Sequence, residues 1–378
     1  MKIGFDAKRA FNNSTGLGNY ARLLIESLLI KYPEHNYFLF TPTIDEKYSN
    51  LFNEYANVQI IQPEKFIYKK IHAAWRTFGV GSIINELKLN IFHGLSNEIP
   101  TGIDRSKTKI LVTIHDLIFL RYPNYYNNID AYIYKKKIKR ACNESDLILA
   151  TSKQTKRDIE DFFYTEPYKT KVIYQDCSND FALKFTSEQK NEIKKKYQLP
   201  SKFILSVGTI ETRKNQLTIL KALAKLNADW SLVLIGKKTA YFNEIYAFAN
   251  KNNLLKRLIV LENISSIDLP IIYQCADVFV YISEFEGFGI PVLEAMKSEI
   301  PIITSNSSSL PEVIGDTGLK INHLDSDAIV SFINNQFEQK DIIEENIKAA
   351  KLRTQLFDRN EIAFLINDLY IKLSAIKL

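Results

Sequence analysis

The stretch VFVYISEFEGFGIPVLEAM, residues 278–296, sets the reading of the whole chain. Its first part, Val278 to Ser283, is a near-continuous apolar run, the pattern of a strand covered on both faces of a parallel sheet. A helical pattern follows, and Pro291 suits its first turn, where a missing N–H costs nothing. Between strand and helix, Gly287 and Gly289 let a ligand approach the backbone, while the free N–H groups of the helix start attract anions. Glu286 falls in the loop and Glu294 about a turn inside the helix, so both carboxylates can face one ligand along different parts of its length. Two glutamates alone more often flank an ordinary surface loop. The strand, the glycines and the proline together favour a binding site.

Outward from this stretch, short β-rich apolar runs alternate with longer amphipathic ones, as in βα units around a parallel sheet. Residues 203–208, 231–236, 258–263, 301–306 and 318–322 continue the series as strands. Upstream, residues 2–7, 37–42, 58–63, 90–95, 109–115, 147–151 and 171–175 repeat it. Residues 176–202, polar and Lys-rich, separate the two series and mark a domain boundary. At roughly 150 residues per domain the chain accommodates two or three; the pattern gives two doubly wound domains in tandem with a cleft between them. Ile362, Leu365, Ile366, Leu369 and Leu373 fall at helical spacing and predict a closing helix.

Composition excludes several classes. With 46% hydrophobic and 24% charged residues the chain has the make-up of a globular protein, and 13 Gly and 11 Pro are too few for collagen-like or disordered chains. The 49 basic against 43 acidic residues leave a net charge of +6, too small for a nucleic-acid binder but compatible with an anionic small molecule or membrane surface. Cys142, Cys177 and Cys275 are far apart, with no CxxC pair and no His at metal-ligand spacing, which predicts reduced, part-buried thiols in a cytoplasmic protein. Neither a signal-peptide core nor an apolar run near ~18–20 residues occurs, so a soluble or peripheral protein is expected.

EGFGIPVLEAM resembles the signature of the retaining two-domain glycosyltransferases of family 4, two glutamates separated by seven residues. TGLGNYARLL near the start, TIHDLIFLRYP at 113–123, GTIETRKNQLTILKAL at 208–223 and SNSSSLPEVIGDTGL at 305–319 are similar to segments of that family, in the same order. The resemblance implies an α/β fold of GT-B architecture, two Rossmann-like doubly wound domains facing a cleft. An acceptor domain at 1–180 and a nucleotide-sugar donor domain at 181–355 would be followed by a C-terminal helix at 356–378 crossing back to the first domain. It implies that Arg213 and Lys214 hold the donor diphosphate, and adjacent cations after a strand end suit the charge that builds on a departing phosphate. Glu286 is implied to contact hydroxyls of the donor sugar and Glu294 the nucleotide ribose, since a carboxylate accepts two hydroxyl hydrogen bonds at once. Gly287, Phe288 and Gly289 are implied to bring backbone beside the sugar, and His115, paired in sequence with Asp116, to lie near the reacting centre.

Gly16-Leu-Gly18-Asn-Tyr-Ala21 fits GxGxxA and is weighed against a dinucleotide fingerprint. That fingerprint needs a tight turn straight off the first strand and an acid after the second. Here KRAFNNST intervenes and Phe40-Thr41-Pro42 carries no acid, which disfavours a dehydrogenase. The family instead places Gly16 and Gly18 against the donor diphosphate and near the acceptor. Asp325-Ser-Asp327 is a DxD triplet of the metal-binding kind, but it directly precedes apolar AIVSFI and reads as a helix cap. No metal or cofactor is expected. Of the other histidines, His93 reads as a satisfied core residue, while His35, His72 and His323 sit in polar surroundings. KFIYKKIHAAWRTFG at 65–79 and YIYKKKIKR at 132–140 combine cations with aromatics; solvated helix faces explain them, and a patch on anionic lipid is the functional reading. The segment Gln175-Asp-Cys-Ser-Asn-Asp180 departs from the Asn-Gly-Val-Asp type linker common in the family.

The expected activity is retaining, metal-independent transfer of a hexose, mannose or glucose, from a GDP- or UDP-linked donor to a hydroxyl of a glycan or lipid-linked acceptor. It belongs to surface polysaccharide or lipopolysaccharide synthesis at the inner face of the plasma membrane, with no nucleic-acid partner. Two other classes fit the same architecture. One is a non-catalytic sugar-nucleotide or glycan-binding subunit of an assembly complex; the other is a nucleotide-sugar epimerase, which needs no acceptor. The base, the acceptor and the linkage stay open.

Overall fold

The computed structural model describes residues 1–65, 70–335 and 338–375. The chain divides into two units, the first formed by Met1–Asp176 together with Phe357–Leu378 and the second by Cys177–Leu356. The expected boundaries were at 180/181 and 355/356. The polar stretch 176–202 is not a bare linker: Thr186 and Gln189 form a capping box that starts the helix Ser187–Lys196, whose buried Ile193 anchors an otherwise solvated surface.

Unit 1 holds a parallel sheet of β1 (Lys2–Asp6), β2 (Asn36–Phe40), β3 (Val58–Ile61), β4 (Ile91–Gly94), β5 (Lys109–Ile114), β6 (Leu147–Ala150) and β7 (Thr170–Val172), in the order β3-β2-β1-β4-β5-β6-β7. The near-continuous apolar strands follow from coverage on both faces. In β2, Tyr37 and Leu39 join one core with Ile3 and Phe5, while Phe38 and Phe40 point the other way into a second core with Trp75 and Phe92. The first core is closed by the helix Gly16–Lys31 and by Arg359–Ala375, which buries Ile362, Ala363, Ile366 and Tyr370. A third core beneath β5 and β6 takes Ile138, Ala141 and Cys142 from the helix Asn128–Glu144.

His35 departs from expectation. It is buried, with Nε2 3.1 Å from Asn367 Oδ1 and Nδ1 3.3 Å from the N-terminal amine, so it bridges the start of the chain to the closing helix. No feature of its sequence neighbourhood announces a partner 332 positions away.

Unit 2 repeats the plan with β8 (Phe203–Val207), β9 (Ser231–Ile235), β10 (Leu258–Leu261), β11 (Val278–Tyr281), β12 (Ile302–Ser305) and β13 (Leu319–Ile321), all parallel in the order β10-β9-β8-β11-β12-β13. Its core gathers Ile204, Leu232, Val278, Val280 and Trp230 with Ile219, Leu220 and Leu223 of the helix Gln216–Leu223. The strand order reverses once in each sheet, between β1 and β4 and between β8 and β11. In doubly wound sheets such reversals open a crevice beyond the carboxyl ends of the two strands, where ligands bind. Among the described residues, no helix is long and apolar enough to cross a membrane.

Candidate active site

In unit 2 the reversal point brings together the segments leaving β8 and β11. The first passes Gly208 and turns at Thr212–Lys214; the second is the loop before the helix Ile290–Lys297. Two bonds tie them: Glu284 N donates to Arg213 O at 2.8 Å, and Asn215 Nδ2 to Ile282 O at 3.2 Å. Glu286 Oε1 consequently receives Lys214 Nζ at 2.5 Å, Arg213 Nη1 at 2.9 Å and the Tyr281 hydroxyl at 2.9 Å. Lys214 also touches the Tyr281 hydroxyl and sits 4.7 Å above its ring, while Arg213 donates to Phe285 O and, at 2.6 Å, to Glu211.

The electrostatics follow from burial. Glu286 is only 8% exposed, and desolvation alone would raise its pKa; Arg213 and Lys214 outweigh that and hold it at about 2. The pKa of Lys214 is also lowered, but by burial, which outweighs the attraction of Glu286. The site therefore presents a permanently ionised carboxylate beside two cations in a dry environment, where fixed charges act most strongly.

The loop that carries Glu286 is held from β12's side. Ser308 Oγ accepts from Glu286 N at 2.9 Å, and Ser309 Oγ donates to the carbonyls of Glu286 (3.0 Å) and Phe288 (2.7 Å). Phe288 is buried, so its carbonyl is committed to the loop's own structure. Gly289 has φ +119°, and a Cβ there would come within 2.6 Å of Leu310 Cδ2, so both conformation and space require glycine. Gly287 lies between these fixed points. Pro291 occupies the first helical turn as the sequence predicts. Glu294 stands apart from the triad: Tyr273 OH donates to its Oε2 at 2.7 Å, and burial pushes its pKa up to about 7.

In unit 1, His115 follows β5 and is 5% exposed. Its Nε2 donates to Leu95 O at 2.9 Å, Gln175 Nε2 lies 3.4 Å from Nδ1, and its backbone N donates to Asn97 Oδ1 at 2.9 Å. Burial drives its pKa down to about 4, so the ring is neutral. Tyr20 meets the ring edge-on, centroids 4.7 Å apart. The Tyr20 hydroxyl lies 3.0 Å from Thr113 Oγ1, which is 2.8 Å from His93 Nε2; His93 Nδ1 in turn is 2.7 Å from the Tyr370 hydroxyl. His93 is thus the satisfied core histidine the sequence predicts, and Tyr20 joins the glycine segment to His115. Gly18 is packed too tightly for any side chain, since a Cβ would lie 1.8 Å from Asn13 O, whereas Gly16 has open space.

Sequence reasoning missed Tyr281, Tyr273, Tyr20 and Gln175. Each acts through a terminal polar group, and for Tyr273, Tyr20 and Gln175 the partner is distant in sequence, so local patterning carries no signal for it. Asp325 caps the helix Ser326–Asn334 by accepting from the backbone of Asp327 and Ala328, and Asp327 pairs with Lys225 at 2.6 Å, as the capping interpretation requires. Of the basic aromatic stretches, Phe66, Ile67, Tyr68 and Lys69 lie outside the described residues. The three cysteines are buried and form no disulfide.

Residues 15–175 match the family described as Glycosyltransferase Family 4, and residues 188–356 match Glycosyl transferases group 1. The chain is 26% identical over 350 residues to the O-antigen chain mannosyltransferase B of Escherichia coli, covering 88% of this chain and 90% of that protein. It is 31% identical over 241 residues to the serotype-specific mannosyltransferase WbdA of Escherichia coli, covering 60% of this chain but only 29% of that longer protein. Among solved structures, Anabaena Alr3699/HepE in complex with UDP and glucose superposes with a TM-score of 0.76 at 16% identity, over 98% of this chain and 100% of that one. With a Family 4 domain in its first unit, a group 1 domain in its second and two parallel-sheet Rossmann-like folds, the chain belongs to the GT-B glycosyltransferases.

Proposed function

We propose that the chain is a retaining, metal-independent hexosyltransferase. It takes mannose or glucose from a GDP- or UDP-linked donor bound by unit 2 and attaches it to a hydroxyl of a surface glycan or lipid-linked oligosaccharide bound by unit 1. The names of the mannosyltransferase relatives support mannose; the glucose and UDP of the structural neighbour support the alternative sugar and base. The observation that carries the reading is the convergence of Arg213 and Lys214 on Glu286 at the strand reversal of unit 2.

The chemistry divides among these groups. As the anomeric C–O bond to phosphate breaks, negative charge grows on the leaving diphosphate, and Arg213 and Lys214 supply fixed positive charge to meet it. Glu286, an acceptor at every working pH, orients sugar hydroxyls. The leaving phosphate oxygen takes the proton of the incoming hydroxyl on the same face as the new C–O bond forms, so no enzymic base is required. His115, neutral and buried, contributes backbone or ring hydrogen bonding on the acceptor side.

A melting panel of UDP- and GDP-sugars tests the donor: the correct one, at 100 times its Kd, adds about 2.7 kcal/mol. Product formed on a lipid-linked acceptor, undiminished by EDTA, supports the enzyme reading; donor binding without turnover removes it.

We further place the enzyme at a membrane surface, in contact through the helix Asn128–Glu144. Ile129, Tyr132 and Ile133 are exposed along one stripe, Lys136 lies 4.5 Å over the Tyr132 ring, and Lys135 and Lys139 flank it in solvent. Lys137 is committed to Glu98 at 3.3 Å. Flotation with phosphatidylglycerol vesicles is expected to fall on Lys135→Glu/Lys136→Glu/Lys139→Glu; undiminished flotation removes the contact.

A further inference from the structure

Unit 1 reverses its strand order between β1 and β4, and Lys8 and Arg9 leave the carboxyl end of β1 just where that crevice opens. Around them the charges are sorted unevenly. Arg76 closes on Asp6 at 2.5 Å and approaches Glu98 at 3.7 Å, and Lys137 takes Glu98 at 3.3 Å. Both acids are thereby used. The Lys8 ammonium and the Arg9 guanidinium make no hydrogen bond or ion pair with any described residue, although both side chains are half-buried. Burial, followed by Arg76 and Arg9, lowers the pKa of Lys8 against the smaller opposing pull of Asp6 and Glu98, and the charge of Arg9 acts on His115.

Asp6 and Glu98 act on Lys8 from a distance but pair directly with Arg76 and Lys137, and two adjacent, partly desolvated cations without a direct ion pair are costly, a cost offset when an anion binds between them. We propose that Lys8 and Arg9 form an anion subsite at the carboxyl end of β1 that takes a phosphate or diphosphate group carried by the acceptor. Phosphate oxygens suit the pair because both side chains are donors only, and Arg can engage two oxygens in parallel. The assignment to the acceptor rests on the reading above, in which Arg213 and Lys214 of unit 2 already serve the donor diphosphate. It narrows the acceptor to a glycan esterified through phosphate, as on a lipid carrier. A neutral oligosaccharide would leave both cations unmatched.

Isothermal titration of the full chain tests this with three probes: inorganic pyrophosphate, UDP and GDP as nucleotides, and farnesyl diphosphate as a soluble lipid-borne diphosphate. The variants are Lys8→Gln/Arg9→Gln and Arg213→Gln/Lys214→Gln; glutamine keeps the side-chain stems, and thermal melting reports that each variant folds. The wild type is expected to bind two pyrophosphates per chain and each double variant one. Lys8→Gln/Arg9→Gln should keep its nucleotide affinity and bind farnesyl diphosphate at least fivefold more weakly, with the wild type still binding farnesyl diphosphate when saturated with nucleotide. Two pyrophosphates retained by Lys8→Gln/Arg9→Gln overturn the subsite. Loss of nucleotide affinity in that variant, or exclusion of farnesyl diphosphate by nucleotide, gives the cations to the donor and overturns the acceptor assignment. If instead Arg213→Gln/Lys214→Gln keeps full nucleotide affinity while Lys8→Gln/Arg9→Gln loses one pyrophosphate, the donor assignment to unit 2 fails and the anion subsite holds.

Discussion

The two units share one architecture and use its reversal point in opposite ways. Unit 2 packs a carboxylate against two cations and a tyrosine hydroxyl, a pre-assembled charged cluster. Unit 1 buries a neutral relay, Tyr20, Thr113, His93 and Tyr370, beside a neutral His115, and leaves Lys8 and Arg9 without a direct ion pair at the end of β1. The contrast teaches that a doubly wound sheet dictates where a site lies but not its electrostatics. Those are set by the few residues that leave the strand ends, Arg213 and Lys214 in one unit, Lys8 and Arg9 in the other.

The largest expected break in this contrast is chemical. Arg213→Ala should lower transfer by about 10²–10³-fold with folding retained, because it removes fixed charge from the leaving group. Glu286→Ala should fall in the same range. Steady-state rates decide it, and near-full activity in both variants would undo the roles given to the cluster.

Acid separates the units next. His93 and His115 have folded pKa values near 3 and 4, below their ordinary value, so the unfolded chain takes up protons first and unit 1 loses stability as pH falls from about 6.5 toward 4. Glu294 has the opposite sign. Its pKa is raised to about 7, so it contributes most stability to unit 2 below the ordinary carboxylate value and loses that contribution as pH rises toward 7. Glu286, held at about 2, withdraws its contribution only below the ordinary carboxylate range. Amide hydrogen exchange, corrected for intrinsic rates, should show unit 1 opening more readily at pH 5 than at pH 7 and unit 2 less readily. Parallel behaviour of both units would refute the contrast.

Smaller changes sharpen it. Tyr20→Phe removes one hydroxyl and keeps the ring against His115; it should cost about 1 kcal/mol of stability and lower kcat severalfold with the donor KM unchanged. An altered donor KM would tie Tyr20 to the donor instead. Asp325→Ala should cost roughly 1 kcal/mol through the lost cap and leave transfer untouched. A loss of activity restored by added Mn²⁺ would turn the DxD triplet into a metal site after all.

The βα alternation and the strand-loop-helix unit at 278–296 were legible because two-sided burial and glycine geometry leave marks in local sequence. Gly289 illustrates this, with its positive φ and Leu310 pressed against it. Arg213, Lys214 and Glu286 were legible as a set only through the family resemblance, since 72 positions separate Lys214 from its carboxylate. Tyr281 and Tyr370 were not legible at all. A buried tyrosine in a strand or closing helix looks like core, and what distinguishes these two is where one hydroxyl ends. His35 was misjudged for the same reason: polar neighbours in sequence gave no hint of Asn367.

The closing helix carries a consequence for how the protein is made. Unit 2 is a continuous stretch, Cys177–Leu356, and can fold as soon as it leaves the ribosome. Unit 1 begins earlier but lacks Ile362, Ile366 and Tyr370 until residues 357–375 are synthesised. Its His93–Tyr370 bond spans 277 positions, a contact of the kind that slows folding. The first domain to be translated is therefore the last to be completed, and until then it exposes the apolar face of Gly16–Lys31 that the closing helix covers.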